Sequence, residues 1–172
     1  MAILPIRIYP DPVLRVKCRP VEQFDDGLRK LAADMVETMH AAPGVGLAAP
    51  QVGVELRLAV VDTSVGEDPS QLKILVNPEI VRREGQEADI EGCLSLPGIN
   101  DKVERPLNIT VRAQDLAGKP FELPAEGYLA RAICHEVDHL DGILFTDHLR
   151  GLRRERARRQ LKRLAEEQEV MV

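Results

Sequence analysis

The stretch CHEVDHLDG, Cys134 to Gly142, sets two histidines four positions apart with a glutamate directly after the first. On an α-helix, residues four apart stack one turn above each other on the same face. At about 100° per residue, Tyr128, Ala132, His135 and His139 share one stripe. Leu129, Ile133, Val137 and Leu140 form a second stripe, which must face a core. The pattern predicts a helix from about Pro124–Glu126 to Asp141, with Gly142 as its C-terminal stop. Two imidazoles one turn apart can grip one divalent ion from a single rigid element. Glu136 then sits at the ion's edge, able to move protons without being a ligand. A lone histidine is more often a surface or satisfied core residue, but the complete His-Glu-x-x-His pattern on an amphipathic helix favours the metal.

Two imidazoles leave a catalytic centre one ligand short, and the third ligand decides the class. A metzincin-type protease continues with a glycine and then a third histidine. Gly142 fits that continuation, but Phe145 stands where the histidine belongs and cannot bind a metal. A thermolysin-like site needs a glutamate well downstream, yet the glutamates from Glu155 onward lie in a charged, solvent-facing tail. His148 is available, past a helix stop and without obvious geometry. Cys93, in EGCLS (91–95), is the stronger candidate. Gly92 beside it lets backbone approach a ligand closely, and a thiolate binds Fe²⁺ or Zn²⁺ tightly. Taken alone, Cys93 also reads as a buried packing residue.

The remainder of the chain is consistent with one domain of 172 residues. Its 44% hydrophobic and 30% charged residues are those of an ordinary soluble protein. No apolar run approaches the roughly 20 residues of a membrane span, and the opening MAILPIRIYPDP lacks the basic region of a secretory signal. Neither a membrane nor DNA is expected as a partner. Three cysteines without framework spacing fit a reducing cytoplasm. Net charge is −5, but Arg150–Val172 carries +4 and the rest −9, so an acidic body bears a basic tail. A first helix is expected from about Asp25 to Ala42, followed by GVGLAAPQVG, which is too rich in Gly and Pro for regular structure. Strands are expected at 56–62, 72–81 and 107–115, and a last amphipathic helix at about Leu152–Glu167. Helix, strands, helix and tail in that order indicate α+β.

Three motifs stand in order: GVGLAAPQ (44–51), EGCLS (91–95) and HEVDH (135–139). Together with the YPDPVLR opening and the early helix, they resemble peptide deformylase over nearly the whole chain. The resemblance implies an α+β single domain, with mixed or antiparallel β-sheets wrapped around a central metal-binding helix, plus an N-terminal and a C-terminal helix. The catalytic domain would span 1–150, with 151–172 as a basic helical tail of the same domain. It implies hydrolysis of the formyl group from the N-terminal formyl-methionine of nascent peptides, releasing formate. Carried over residue by residue, Cys93, His135 and His139 bind one metal ion and Glu136 is the general acid/base. Gln51 and the Leu94 N–H look like donors to the substrate carbonyl oxygen, and Gly46 belongs to a substrate-facing strand edge. By the same analogy Val45, Tyr128 and Ala132 line a methionine pocket, with Arg131 at its rim. The family is associated with Fe²⁺, for which Ni²⁺, Co²⁺ or Zn²⁺ often stands in.

Two departures mark this chain. Cys134 occupies a position that is often Gln in the family, and its angular place on the helix makes it packing rather than a ligand. Asn100 lies near where some members carry an arginine that holds the peptide backbone. The tail RGLRRERARRQLKRLAEEQE reads either as a solvated docked helix or as a contact with ribosomal RNA near the peptide exit. Two rival readings stand beside the hydrolase. One is a zinc endopeptidase, disfavoured by Phe145. The other is a structural metal site in a binding module, with His148 or Cys134 as fourth ligand.

Overall fold

The computed structural model describes residues 2–170; Met1, Met171 and Val172 lie outside the described residues, so the tail is followed only to Val170. Helix α1 (Asp26–Ala41) begins where the Asp25 carboxylate accepts the Leu28 N–H at 3.0 Å. Strands β1 (Gly46–Ala48), β2 (Leu58–Val61), β3 (Lys73–Glu84), β4 (Glu87–Gly92), β5 (Asn100–Arg105), β6 (Asn108–Gln114) and β7 (Pro120–Glu126) follow. Helix α2 (Gly127–Leu140) and helix α3 (Gly151–Val170) complete the chain. The five strands β1-β2-β3-β6-β7 form one antiparallel sheet, and β4 and β5 form a separate antiparallel ribbon. This is an α+β fold.

Two local expectations change. The GVGLAAPQVG segment is not irregular throughout. Gly46–Ala48 is an edge strand in register with Val61–Ala59, and Ala49–Val52 is one 3₁₀ turn. The segment is buried, and buried backbone groups must find partners, which the sheet edge supplies. Pro124–Glu126 belongs to β7 rather than to the helix. A proline is tolerated there because β7 is at the other edge of the sheet.

Helix α2 is buried along almost all of its length from Ala130 to Leu140. Ala130, Ile133 and Val137 pack on Val61, Leu75, Ile109 and Val111 of the sheet. Leu140 packs with Cys18, Ala48 and Ala59. The helix stops at Asp141, and Gly142 follows with φ 75°, where a Cβ would come within 2.5 Å of the Arg15 carbonyl oxygen. On the other side of the sheet, Leu28, Ala32, Met35 and Met39 of α1 cover Leu47, Leu58, Val60 and Val76. Helix α3 is docked through Ala157, Leu161 and Leu164 against Leu14, Leu96 and Phe145. Among the described residues no helix is long and apolar enough to cross a membrane.

Candidate metal centre

The histidine stripe of α2 faces the end of the β4–β5 ribbon, where the chain leaves β4 and turns. Cys93 is the first residue of that turn, its carbonyl accepting the Leu96 N–H at 3.0 Å. His139 Nε2 lies 3.3 Å from Cys93 Sγ and 3.2 Å from His135 Nε2. The three donor atoms lie within 4.8 Å of one another. A tetrahedral ion with bonds of about 2.0–2.1 Å to nitrogen and about 2.3 Å to sulfur sets its donors roughly 3.3–3.6 Å apart. The observed spacings match those of one small ion, so the residues fit a metal.

The protonation pattern agrees. Burial disfavours the charged form of either ring, yet hydrogen bonds to Cys93 and Glu91 hold His135 well above the usual histidine range. His139 is pushed well below that range by burial and by the neighbouring His135 charge. The two rings therefore shift in opposite directions as a coupled pair, and the Cys93 sulfur stands beside them. Held neutral, His139 is in the form in which an imidazole ligates a metal.

What orients the ligands is a buried carboxylate. His135 Nδ1 donates to Glu91 Oε1 at 2.9 Å, so that in the neutral ring the Nε2 lone pair is the one left for an ion. Glu91 also receives Arg105 Nε at 2.7 Å and Nη2 at 2.9 Å, and Arg131 Nη1 at 2.8 Å. Burial alone would raise its pKa, but the Arg105 and His135 hydrogen bonds outweigh that and hold it at about 2. Arg105 reaches on to Asp138 Oδ2 at 2.6 Å, which His148 Nε2 meets at 2.7 Å. His148 is thus tied to Asp138 and Arg105, and it is not among the converging donors.

Glu136 is 4% exposed, and burial pushes its pKa up to about 7. Its carboxylate lies against Gly46: a Cβ there would fall within 2.9 Å of Glu136 Cδ, so only glycine leaves the space. Gln51 is buried at 1% exposure. Its Oε1 accepts the Ala48 N–H at 2.9 Å, and its Nε2 donates to Ser95 Oγ at 3.1 Å and lies 3.7 Å from Cys93 Sγ. The amide is therefore fixed in orientation beside the sulfur.

These groups line one cleft of about 320 Å³ between edge strand β1 and the end of β4. Val45, Gly46, Gln51, Leu94, Tyr128 and Ala132 all border it. Tyr128 is exposed and Ala132 buried. Arg131 also borders it, but as a buried brace: Nη1 donates to Val103 O at 2.7 Å and Nη2 to Glu87 O at 2.6 Å. Phe145, which replaces the third histidine of a protease pattern, stacks on His135 with ring centroids 6.1 Å apart. Cys134 is packed in the core, its thiol pushed up to about 11 by burial.

The sequence reading passed over Glu91, Arg105, Asp138 and Ser95. Glu91 stood inside a quoted motif. The pattern carried no sign that two arginines, 14 and 40 residues away, would converge on it.

A family model described as polypeptide deformylase matches residues 3–155. The chain is 51% identical over 172 residues to a peptide deformylase of Alkalilimnicola ehrlichii, covering 100% of this chain and 96% of that one. It is 49% identical over 164 residues to a peptide deformylase of Acidobacterium capsulatum, covering 95% and 96%. The fold is similar to the crystal structure of a peptide deformylase from Legionella pneumophila, with TM-score 0.89, 48% identity and 98% of each chain covered.

Proposed function

The chain belongs to the polypeptide deformylase family, and from that premise we propose how its residues divide the work. The enzyme is a metal-dependent hydrolase that removes the formyl group from the N-terminal methionine of nascent peptides. Cys93, His135 and His139 would hold the ion. When bound, a divalent ion there supplies Lewis acidity to the formyl carbonyl and eases deprotonation of a water.

Glu136 takes the proton from the attacking water and delivers it to the departing amine, so the C–N bond breaks to formate and a free α-amine. A carboxyl group pushed up to about 7 by burial is matched to both halves of that task. Gln51 Nε2 and the Leu94 N–H donate to the carbonyl oxygen as it gains charge, and one such donor is worth roughly 2.7–4 kcal/mol in other hydrolases. Gln51 needs little reorganisation, because Ala48 and Ser95 already hold its amide. The substrate backbone lies along the unpaired side of β1 at Gly46. Val45, Tyr128 and Ala132 line the methionine pocket, and Arg131 braces its wall.

The observation that carries this division of labour is the convergence of the three donors with Glu136 pressed against Gly46. Formate release from formyl-Met-Ala-Ser, with casein cleavage as control, tests it. Casein cleavage without formate release overturns it.

The resident ion is Fe²⁺, one per chain, with Zn²⁺, Ni²⁺ or Co²⁺ able to substitute; one thiolate and two imidazoles suit all four. A thiolate-held ferrous ion loses activity in air through oxidation at Cys93, and exchange to Ni²⁺ prevents the loss. Iron enzyme that is inactive when prepared anaerobically overturns the ferrous assignment. The compartment is the cytoplasm, where nascent formylated chains are made and sparse cysteines stay reduced. Residues 1–150 form the catalytic domain and 151–172 a basic helix of the same domain, which contacts the ribosome. The +3 balance of that segment supports the contact. Because Ala157 and Leu164 are core residues, charge reversal at Arg154, Lys162 and Arg163 is a cleaner test than truncation. Unchanged low-salt co-sedimentation with ribosomes would sink it.

A further inference from the structure

Beside the metal cleft lies a second concavity that the hydrolysis itself does not use. A groove of about 610 Å³ runs between the β4–β5 ribbon and α3. Ile90 borders both the cleft and the groove and is 61% exposed. From Ile90 outward the groove is bordered by Asn100, Lys102, Arg153, Arg156 and Arg159, with Asp101 as its one carboxylate. Asp101 is already engaged by Arg156 at 2.8 Å and Arg153 at 3.8 Å. Lys102 and Arg159 have no ion pair among the described residues. The groove therefore presents four cations against one carboxylate, on a protein whose net charge is −5.

The ribbon's register gives the order in which an outgoing chain meets these groups. Side chains alternate between the two faces of a strand, so cross-strand pairs two positions apart share a face. Gly92 pairs with Asn100 and Ile90 with Lys102. Leaving the ion, the first outward pair is Gly92/Asn100. The Asn100 amide lies close over that glycine, where a Cβ would meet Asn100 Oδ1 at 2.5 Å. The second pair is Ile90/Lys102 and the third on that face is Ala88/Glu104, while α3 forms the facing wall of the groove with Arg156 and Arg159. Ile90 is three residues from Cys93, about 10 Å along a strand, and an extended substrate covers that distance in about three residues.

We infer that this groove receives the substrate segment downstream of the formyl-methionine, and that the enzyme thereby favours nascent peptides with acidic side chains from about the third residue onward. The inference rests on the deformylase reading of the cleft and adds a specificity determinant to it. Asn100 supplies a neutral amide for the passing backbone, Ile90 an apolar step, and Lys102 and Arg159 the unpaired charge. Because the contact is remote from the reacting bond and equal in ground and transition states, it acts on KM and leaves kcat alone.

The test compares three substrates at about 20 mM and about 0.5 M KCl, where screening removes surface attraction. They are formyl-Met-Ala-Ser, formyl-Met-Ala-Ser-Asp-Glu-Asp and formyl-Met-Ala-Ser-Asn-Gln-Asn. At low salt the acidic hexapeptide is expected to show a kcat/KM about fivefold above the neutral one, carried by KM. The ratio falls to near one at high salt and in the Lys102→Glu/Arg159→Glu variant, whereas Arg83→Glu/Lys119→Glu, an equal charge change elsewhere on the surface, keeps it. A ratio near one in the unmodified enzyme, or one unchanged in the double variant, overturns the inference. If the double variant instead loses ribosome co-sedimentation while the peptide ratio is one throughout, the groove is an RNA surface and the inference fails. Formate release from the tripeptide, which brings no acidic side chain to the groove, reports the deformylase reading separately.

Discussion

His135 Nδ1 sits 2.9 Å from Glu91 Oε1, and that contact determines which of the two ring nitrogens faces Cys93 and His139. The carboxylate that sets the tautomer is itself immobilised by Arg105 and Arg131, so the ligand geometry is inherited from the β4–β5 ribbon rather than from α2 alone.

Replacing Glu91 by Gln removes the charge that pairs with both arginines and weakens the acceptor for His135. Loss of such an outer partner typically weakens metal retention about 10–100-fold. Ion content after dialysis against a chelator checks this. Retention equal to that of the unmodified protein would reduce Glu91 to a packing residue. Glu91→Leu should do more, destabilising the fold by roughly 3–5 kcal/mol, because two buried guanidinium groups lose the carboxylate they share.

Gly46→Ala places a methyl where the Glu136 carboxylate now lies. The carboxylate must shift, and a displacement of about 1 Å at a catalytic group costs about 10²-fold. The expected signature is a kcat drop of that order with metal content unchanged, since the three atoms nearest the new methyl all belong to Glu136. A variant with normal kcat would mean that Glu136 tolerates displacement and is not positioned by this contact.

Gln51→Ala should lower kcat at least about tenfold while the ion is retained, because an oxyanion donor disappears but no ligand does. Ser95→Ala should give a smaller fall in the same parameter. The hydroxyl only holds the Gln51 amide, and without it the amide keeps its bond to the Ala48 N–H. Equal kcat in all three proteins removes Gln51 from the mechanism.

Stability should fall in acid for an identifiable reason. Glu91 has its pKa depressed from 4.5 to about 2, so the native state binds its proton less readily than the unfolded chain does. A group of that kind contributes its full stabilisation above about pH 4.5 and loses it progressively as the pH falls towards 2. Asp62 adds a contribution of the same sign. Burial opposes its charge, but bonds from Ser64, His40 and the Gly66 N–H prevail and lower its pKa. Melting temperatures of the metal-free protein, measured from neutral pH down to about 2.5, should drop through that window, and more gently in Glu91→Gln. A Glu91→Gln profile parallel to that of the unmodified protein would show that other carboxylates control the acid transition.

The metal helix was legible because its chemistry is written at local spacing. His135, Glu136 and His139 lie within one turn, and helical geometry alone puts both imidazoles on one face. Periodicity also announced α1, the core of the main sheet at β2, β3 and β6, and the exclusion of a third histidine by Phe145. The strands that frame the cleft were not legible in this way. β1 is three residues of Gly, Leu and Ala, and β4 is mostly polar and exposed, so neither carries an alternating pattern. Their existence depends on partners far along the chain, Val61 for one and Arg105 for the other.

What the sequence by itself determined was the set of donors and their helix: two imidazoles, a carboxylate and a thiolate whose types limit the chemistry. What only the tertiary structure decided was their convergence within 4.8 Å, the tautomer imposed on His135, and the close fit of Glu136 against Gly46. The physical reason is burial. A charge such as Glu91 can sit in the interior only when Arg105 and Arg131 arrive from other strands and helices to compensate it. No local pattern records an encounter that exists only once the chain has folded.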